Sequence, residues 1–151
     1  MSESGTDQHR IVVGVDGSDG SKAALRWAAR QAELTGARLQ VVTGWEYPAF
    51  YGWAPAMPDD YDYEALAASA QAEAIDGVFG ANRPATLEAK VVARHPAEAL
   101  VEASEGADLL VVGSRGYGGF ADALLGSVST YCVHHAHCPV TIIRPADHEH
   151  K

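Results

Sequence analysis

Two clusters of small residues have the types and the spacing that could hold a phosphate group. The first is Gly113-Ser114-Arg115-Gly116, and the second, nine residues later, is Gly126-Ser127. Glycine lets a ligand approach the main chain closely because it has no β-carbon. A helix starting at the second cluster would direct N–H groups and its positive dipole end toward an anion, and the hydroxyls of Ser127 and Ser129 would add donors. Each cluster alone is typical of a turn followed by a serine N-cap, whereas their combination favours an anion or nucleotide site.

The apolar pattern supplies the strands that would position these clusters. Four runs are rich in valine, isoleucine and leucine, and the strongest of them are apolar throughout, as in strands covered on both faces. The four runs are Ile11–Val15, Leu39–Thr43, Leu109–Val112 and Val140–Ile143. Leu87–Ala93 is a weaker fifth candidate, because Glu88 and Lys90 interrupt it.

Helical patterns lie between the predicted strands. The segments with their start and stop signals are Ser18–Gly36, Tyr61–Gly80, a short helix from Pro96 to Gly106, and one introduced by Gly126–Ser127. The second helix carries an apolar stripe of Leu66, Ala70, Ala74 and Val78. The fourth carries a face of Val128, Tyr131, Cys132 and His135, of which Cys132 and His135 are expected to be buried.

This alternation of strands and helices predicts an α/β fold with an open, doubly wound parallel sheet. No linker divides the chain, so we expect one domain over residues 10–144, with an N-terminal tail at 1–9 that is disordered and a C-terminal tail at 145–151. Two strand ends also resemble each other, since Ile11–Ser18 and Leu109–Gly116 both run from an apolar strand through glycine into a small polar loop. Ligands of doubly wound sheets bind where the strand order reverses, so both loops would face one crevice if these strands are neighbours.

Charge and composition limit the partners. The 151 residues include 20 acidic and 11 basic side chains, for a formal net charge of −9. Such a chain repels nucleic acid and anionic membranes, although main-chain amides can still hold one nucleotide. No apolar run is long enough to span a bilayer, the start is polar, and two cysteines suit a reducing compartment. We therefore expect a cytoplasmic protein.

The spacing Gly-x2-Gly-x9-Gly-Ser from Gly113 to Ser127 resembles the phosphate and ribose motif of the ATP-binding universal stress proteins. Three further segments are similar to marks of that family: VDGS at Val15–Ser18, HPAEAL at His95–Leu100 and CPV at Cys138–Val140. The resemblance runs from about Arg10 to Arg144. It implies a Rossmann-like five-stranded sheet with helices on both faces, ATP as ligand, Mg²⁺ beside the phosphates, and a homodimer through the last strand.

The resemblance also implies roles for particular residues. Asp16 is similar to the aspartate that meets the nucleoside, and Gly14 and Val15 would flank it through the main chain. Gly44 falls where the second strand meets the adenine, although glycine offers little apolar surface there. The loop around the ribose and phosphates would comprise Val112, Gly113, Arg115 and Gly116. The triphosphate cradle would comprise Gly126, Ser127, Val128 and Ser129. Asp16 taken alone is more typical of a turn.

Other motifs point to rival sites. The sequence Gly116-Tyr117-Gly118-Gly119-Phe120-Ala121 satisfies G-x-G-x-x-A, but it follows the fourth strand and lacks the later acidic residue of a dinucleotide site. Cys132, His135, His137 and Cys138 have ligand types suited to zinc, but their placement near a helix C-terminus favours a structural role over metal binding. The aromatic segment Trp45–Tyr63 reads either as a surface loop or as a lid or partner-binding surface.

The sequence thus favours an ATP-binding regulatory or sensor protein of the stress response, with an unidentified protein partner left open. No recognised catalytic set is visible, so any ATP hydrolysis or autophosphorylation should be slow. A slow ATPase or autophosphorylating enzyme and a nucleotide-free dimerisation module stay as alternatives.

Overall fold

The computed structural model describes residues 9–46, 62–114 and 125–144. Within them five strands and four helices alternate along the chain. The strands are β1 (Arg10–Gly14), β2 (Arg38–Gly44), β3 (Glu88–Val92), β4 (Leu109–Gly113) and β5 (Val140–Ile143). The helices are α1 (Asp19–Thr35), α2 (Tyr63–Phe79), α3 (Pro96–Ser104) and α4 (Ser127–His135). The predicted alternation and all five strands are confirmed. The predicted tails, apart from His9, and most of Trp45–Tyr63 lie outside the described residues.

All strand pairs in the sheet are parallel, and the strand order is β3-β2-β1-β4-β5. The chain first builds outward from β1 to β3 and then returns to the other side of β1 to form β4 and β5. The order therefore reverses between β1 and β4, which pair through Ile11 with Leu109 and Val13 with Val111. The fold is a Rossmann-like, doubly wound α/β fold, as predicted.

Helices cover both faces of the sheet because strand side chains alternate between two cores. Ile11 and Val13 of β1 belong to the core under α1 and α2, while Val12 belongs to the core under α3 and α4. No described helix is long and apolar enough to cross a membrane.

The ends of α1 follow the predicted signals. Ser18 is the N-cap, and its hydroxyl accepts a hydrogen bond from the Ser21 amide. Gly36 ends the helix with φ of 77°, a left-handed conformation that favours glycine.

Leu66, the first residue of the apolar stripe predicted for α2, is 50% exposed and does not face the sheet. The residues that face the sheet are Gln71, Ala74 and Ile75. This face is consistent with the hydrogen bonds of Gln71. Its side-chain amide donates to the Thr43 hydroxyl of β2 and the Lys90 carbonyl of β3, so the side of α2 that carries Gln71 faces the sheet and Leu66 faces outward.

The predicted buried face of α4 is also only partly right. Cys132 is fully buried, whereas Tyr131 and His135 are exposed and their rings lie 4.3 Å apart. A helix of nine residues contacts the sheet along one narrow line, here Val128, Cys132 and the following Ala136, so positions one step around it face outward.

Arg10 ties down the end of α3 at the amino edge of the sheet. The last turn of α3 contains no basic residue, and its carbonyl groups need partners. The Arg10 guanidinium donates to the carbonyl oxygens of Ala103 and Glu105, each at 2.9 Å, and to the side chain of Gln40 at 2.9 Å.

Candidate functional site

The carboxyl ends of β1 and β4 lie side by side where the strand order reverses. The loop after β1 and the start of α1 also contact the end of β4: a β-carbon added to Gly113 would lie 2.8 Å from the Gly20 carbonyl oxygen. The hypothesis that the two similar loops share one edge is therefore supported by the strand order. Gly113 has a packing function, since it admits the first turn of α1.

The loop after β1 is an ordered turn around Asp16. The Asp16 carboxylate accepts a hydrogen bond from the Ser18 amide at 2.9 Å, and the Asp16 amide donates to the Ser21 hydroxyl at 3.2 Å. The Ser21 hydroxyl in turn donates to the Ser18 carbonyl at 3.0 Å. Asp16 nevertheless remains exposed, so a fixed carboxylate stands at the surface of this edge.

Gly14 and Val15 are committed to the fold. The Val15 amide donates to the Val42 carbonyl at 3.1 Å, and the Val15 carbonyl accepts from the Thr43 hydroxyl at 2.7 Å. A β-carbon on Gly14 would lie 2.6 Å from a methyl group of Leu100. Both main-chain groups of Val15 thus have partners within the protein, and the main-chain contact to a ligand that the resemblance implies at Val15 stays a prediction.

Gly44, at the end of β2, is covered by the turn that precedes α3. A β-carbon there would lie 2.7 Å from both the Arg94 carbonyl oxygen and the Cα of Pro96. Glycine is therefore required at this position by backbone packing. Adenine would have to contact the main chain here, because there is no side chain to form an apolar shelf.

The end of β4 is joined directly to the start of α4. The Gly126 amide donates to the Ser114 carbonyl at 2.6 Å. The Ser129 hydroxyl lies 3.0 Å from the same carbonyl and 3.1 Å from the Gly126 carbonyl. Ser129 is 2% exposed, so its hydroxyl braces the β4–α4 junction, and only its amide is left for the predicted phosphate role.

The first turn of α4 keeps the donors that an anion needs. Gly126 is the N-cap and provides no side-chain cap. Within the described ranges, no residue accepts a hydrogen bond from the amides of Ser127, Val128 or Ser129. Ser127 is exposed, whereas Val128 packs against the core. Val112 is 3% exposed at the end of β4, and the predicted site residues Arg115 and Gly116 lie outside the described residues.

Four polar residues of this edge lie outside the predicted set of site residues: Ser18, Ser21, Thr43 and Ser114. Of these, Ser18 is predicted only as the start of a helix and Ser114 only as a member of the first glycine cluster. All four are buried, and each fixes a main-chain group of the loops described above. A signal existed for two of them, since Thr43 and Ser114 directly follow or end an apolar run, where a hydroxyl or amide must find a partner.

The cysteine and histidine residues near α4 do not gather into a metal site. Burial raises the pKa of the Cys132 thiol to about 11, and burial is also the main cause of the raised pKa of Cys138, which Arg10 lowers and Asp108 raises. The thiolate forms that bind metals are therefore disfavoured. Over the described residues, no three histidine, cysteine or acidic side chains stand close enough to share an ion.

The fold and this edge together define a doubly wound α/β domain whose strand order reverses between β1 and β4, the place where folds of this class commonly bind ligands. The chain belongs to the universal stress protein family, because the model of that family matches residues 8–144.

Individual relatives agree with this assignment. Universal stress protein Rv2005c of Mycobacterium tuberculosis is 36% identical over 151 residues, which cover 93% of this chain and 49% of the relative. The chain thus spans about half the length of the curated relatives it matches.

Two solved structures of the family carry nucleotides. A universal stress protein in complex with cAMP is 31% identical with a TM-score of 0.67, and the match covers 91% of this chain and 98% of that one. A universal stress protein from Archaeoglobus fulgidus in complex with dAMP is 26% identical with a TM-score of 0.63, and the match covers 89% of this chain and 97% of that one.

Proposed function

We propose that this chain binds ATP at the carboxyl edge of the sheet and acts as a nucleotide-dependent regulatory or sensor protein. The observation that carries the proposal is the shared edge: the exposed Asp16 turn and the uncapped start of α4 both follow strands at the reversal point. Family members with cAMP and dAMP bound support a nucleoside monophosphate unit as the common part of the ligand.

The donors at the start of α4 fit a phosphate group. The amides of Ser127, Val128 and Ser129 have no acceptor among the described residues, and a helix N-terminus stabilises negative charge. Gly126 would let the phosphates approach the main chain, as the sequence pattern predicts. Arg115 and Gly116, between the two junction residues Ser114 and Gly126, would complete the cradle.

Asp16 and the ends of β1 and β2 would hold the nucleoside. Hydrogen bonds to a ribose hydroxyl are chemistry that the fixed, exposed carboxylate of Asp16 can provide. Gly44 and Val112 would bound the base and ribose, Gly44 through its main chain. Mg²⁺, if it accompanies the phosphates, would be held mainly by phosphate oxygens and water, since Asp16 is the acid that the described loops place here.

A regulatory role fits better than catalysis. Phosphoryl transfer requires a positioned base or nucleophile and several cations around the transferred group. The described part of this edge offers Asp16, the exposed hydroxyl of Ser127 and buried hydroxyls already bonded to the main chain. Nucleotide binding would instead shift the equilibrium between conformations of the protein, because a ligand that binds only the ordered conformation stabilises that conformation.

We also propose that two copies of the chain pair through β5 and that the protein works in the cytoplasm. Among the described residues, strand β5 pairs with β4 alone, and all four of its residues are partly buried, which suits an edge that a second strand can extend. Both cysteines are free thiols, as expected in a reducing compartment.

The test compares two variants of Ser127 that differ in one donor group. Proline is tolerated at the first position of a helix, and the extended ψ of 172° at Gly126 suits a residue before proline. Ser127→Pro therefore removes the amide donor and the hydroxyl while keeping α4, whereas Ser127→Ala removes the hydroxyl alone.

A sample of each purified protein would first be denatured, and chromatography would identify any nucleotide that it releases. The ATP and AMP affinities of the folded wild-type chain and of both variants would then be measured by isothermal titration calorimetry. We expect Ser127→Pro to weaken ATP binding about tenfold or more, because a donor to a charged group contributes about 1.5–3 kcal/mol. Ser127→Ala should have a smaller effect. Absence of ATP binding by the wild-type chain would refute the proposal, and equal ATP affinity in both variants would refute the role of the α4 amides.

A further inference from the structure

A buried chain of hydrogen bonds runs from α2 through β2 to the end of β1. The side-chain nitrogen Nε2 of Gln71 lies 2.8 Å from the Lys90 carbonyl oxygen and 3.0 Å from Oγ1 of Thr43. Oγ1 of Thr43 lies 2.7 Å from the Val15 carbonyl oxygen. We name this chain of contacts, from Gln71 through Thr43 to Val15, the α2–β1 relay.

The direction of every bond in the relay is fixed by chemistry. A carbonyl oxygen only accepts, so the Thr43 hydroxyl must donate to Val15. The Thr43 oxygen then accepts from the side-chain nitrogen of Gln71, which has two hydrogens. The same nitrogen also lies 2.8 Å from the Lys90 carbonyl oxygen and, at the longer distance of 3.5 Å, from the Val41 carbonyl oxygen. Gln71 and Thr43 are each 5% exposed, so water does not replace these bonds readily.

The relay ends on the peptide group that carries Asp16. The Val15 carbonyl and the Asp16 amide belong to one plane, and this plane is held from both sides: Thr43 donates to the carbonyl and the Ser21 hydroxyl accepts from the amide. Rotation of the plane would displace Asp16. The direction in which the Asp16 carboxylate meets a ligand therefore depends on Thr43 and Ser21.

Stability alone does not explain a polar relay at this place. The core on this face is otherwise built from apolar residues such as Val13, Val41 and Ile75. Replacing a buried hydrogen-bonded pair by apolar groups of similar shape is often nearly neutral for stability, whereas a fully satisfied polar network fixes one arrangement of the main chain.

We propose that Gln71 and Thr43 are positioning residues for nucleoside binding, and that the α2–β1 relay makes nucleotide affinity depend on how α2 packs against the sheet. This inference rests on the proposed function and concerns regulation of the same site. A partner that shifts α2, for example by contacting its exposed Leu66, would then weaken nucleotide binding without touching the ligand.

The test uses AMP as the probe, because AMP has one phosphate group where ATP has three, so its affinity depends more on the nucleoside end of the site. Thr43→Val removes the hydroxyl at nearly constant volume, and Thr43→Ser keeps it. Ser104→Ala is the matched control, since Ser104 is a fully buried hydroxyl that bonds Val101 and His137, away from the loops of the site. Calorimetry gives the affinity of each variant, and urea denaturation identifies conditions under which each is folded.

We expect Thr43→Val to weaken AMP binding about three- to tenfold, the loss typical of one ordered hydrogen bond, while Thr43→Ser and Ser104→Ala stay within about twofold of the wild type. Gln71→Leu should weaken binding in the same direction. The double variant Thr43→Val/Gln71→Leu should bind no more weakly than the weaker single variant, because both changes interrupt one relay.

A second measurement does not depend on the ligand. Hydrogen exchange of the Asp16 amide should be faster in folded Thr43→Val than in Thr43→Ser, because the peptide plane loses one of its two restraints. If the wild type binds AMP and folded Thr43→Val binds it equally well, with unchanged exchange at Asp16, the relay is structural only and this inference is wrong. If the wild type binds neither AMP nor ATP, the proposed function fails and the inference fails with it. Should Thr43→Val not fold, Gln71→Leu and the Thr43→Ser comparison decide by the same criteria.

Discussion

Substitution of Gly113 tests whether a glycine of the motif is required for packing within the protein or only for ligand binding. An ideal β-carbon at this position would lie 2.8 Å from the carbonyl oxygen and 2.9 Å from the carbonyl carbon of Gly20, and 3.4 Å from the amide nitrogen of Ser21. All three atoms belong to the main chain, so no side chain can rotate to relieve the contact. Alanine at position 113 requires the first turn of α1 to move.

The size of the effect follows from these distances. Carbon atoms and their non-bonded neighbours are comfortable at about 3.5 Å, so the backbone near Gly20 must shift by roughly 0.6 Å. Overpacking of this kind costs about 1–3 kcal/mol, and for a domain of this size each kcal/mol lowers Tm by about 2–4 °C. We therefore expect Gly113→Ala to be less stable than the wild type by that amount.

The matched control is Gly77, which lies in α2; among the described residues, no atom outside its own stretch of helix lies within 4 Å of its ideal β-carbon. Gly77→Ala should leave stability equal or raise it by about 0.5–1 kcal/mol, because alanine favours a helix over glycine. Urea denaturation followed by far-ultraviolet circular dichroism measures both free energies of unfolding. Unchanged stability of Gly113→Ala together with lost nucleotide binding would refute the packing explanation and show that position 113 serves the ligand alone.

The remaining predictions concern a charge at Ser127, the start of α4, and the ionisation of the buried Cys132 thiol. Ser127→Glu should raise the unfolding free energy by about 0.3–1 kcal/mol, because a carboxylate at the start of α4 is stabilised by the helix dipole. The same carboxylate should lower ATP affinity by repelling the phosphates. Calorimetry and denaturation would compare this variant with neutral Ser127→Gln, and a higher ATP affinity of Ser127→Glu would contradict the proposed phosphate cradle. Cys132 should react with iodoacetamide far more slowly than an exposed thiol at pH 8, because its pKa is raised from 9.0 to about 11, and peptide mapping should find Cys138 labelled first. Since the folded pKa of Cys132 lies above the unfolded one, its contribution to stability is complete below pH 9 and declines as the pH rises toward 11. Cys132→Ala should remove this decline. If stability depends on pH in the same way in Cys132→Ala as in the wild type, the prediction is wrong.

The fold could be predicted because its central strands β1 and β4 are apolar on both faces. Val12 and Val13 point into different cores, so a run without alternation is what a covered parallel strand requires. The faces of α2 and α4 could not be read in this way. The inner face of α2 is set by hydrogen bonds of Gln71, and a search for apolar stripes does not count a glutamine as a core residue.

The sequence predicted which loops would lie next to each other, but not which contacts their residues would make. The similar ends of β1 and β4 indicated which loops would meet, and the strand order agrees. What the glycines do could not be predicted, because Gly14, Gly44 and Gly113 are explained by contacts with Leu100, Pro96 and Gly20, which are distant in sequence. The commitment of the Ser129 hydroxyl to Ser114 likewise depends on a junction that only the folded chain creates.

The guanidinium of Arg10 has a consequence for how this domain can diverge. It holds the last carbonyls of α3 at the end of β1 that is farthest from the Asp16 turn, through three directed bonds that a lysine could not reproduce together. The anchor of α3 and the proposed ligand site thus occupy opposite ends of one strand. Mutations in the loops after β1 and β4 can accumulate while the anchor keeps the scaffold intact, so a lineage with this architecture can change those loops without first having to rebuild its frame.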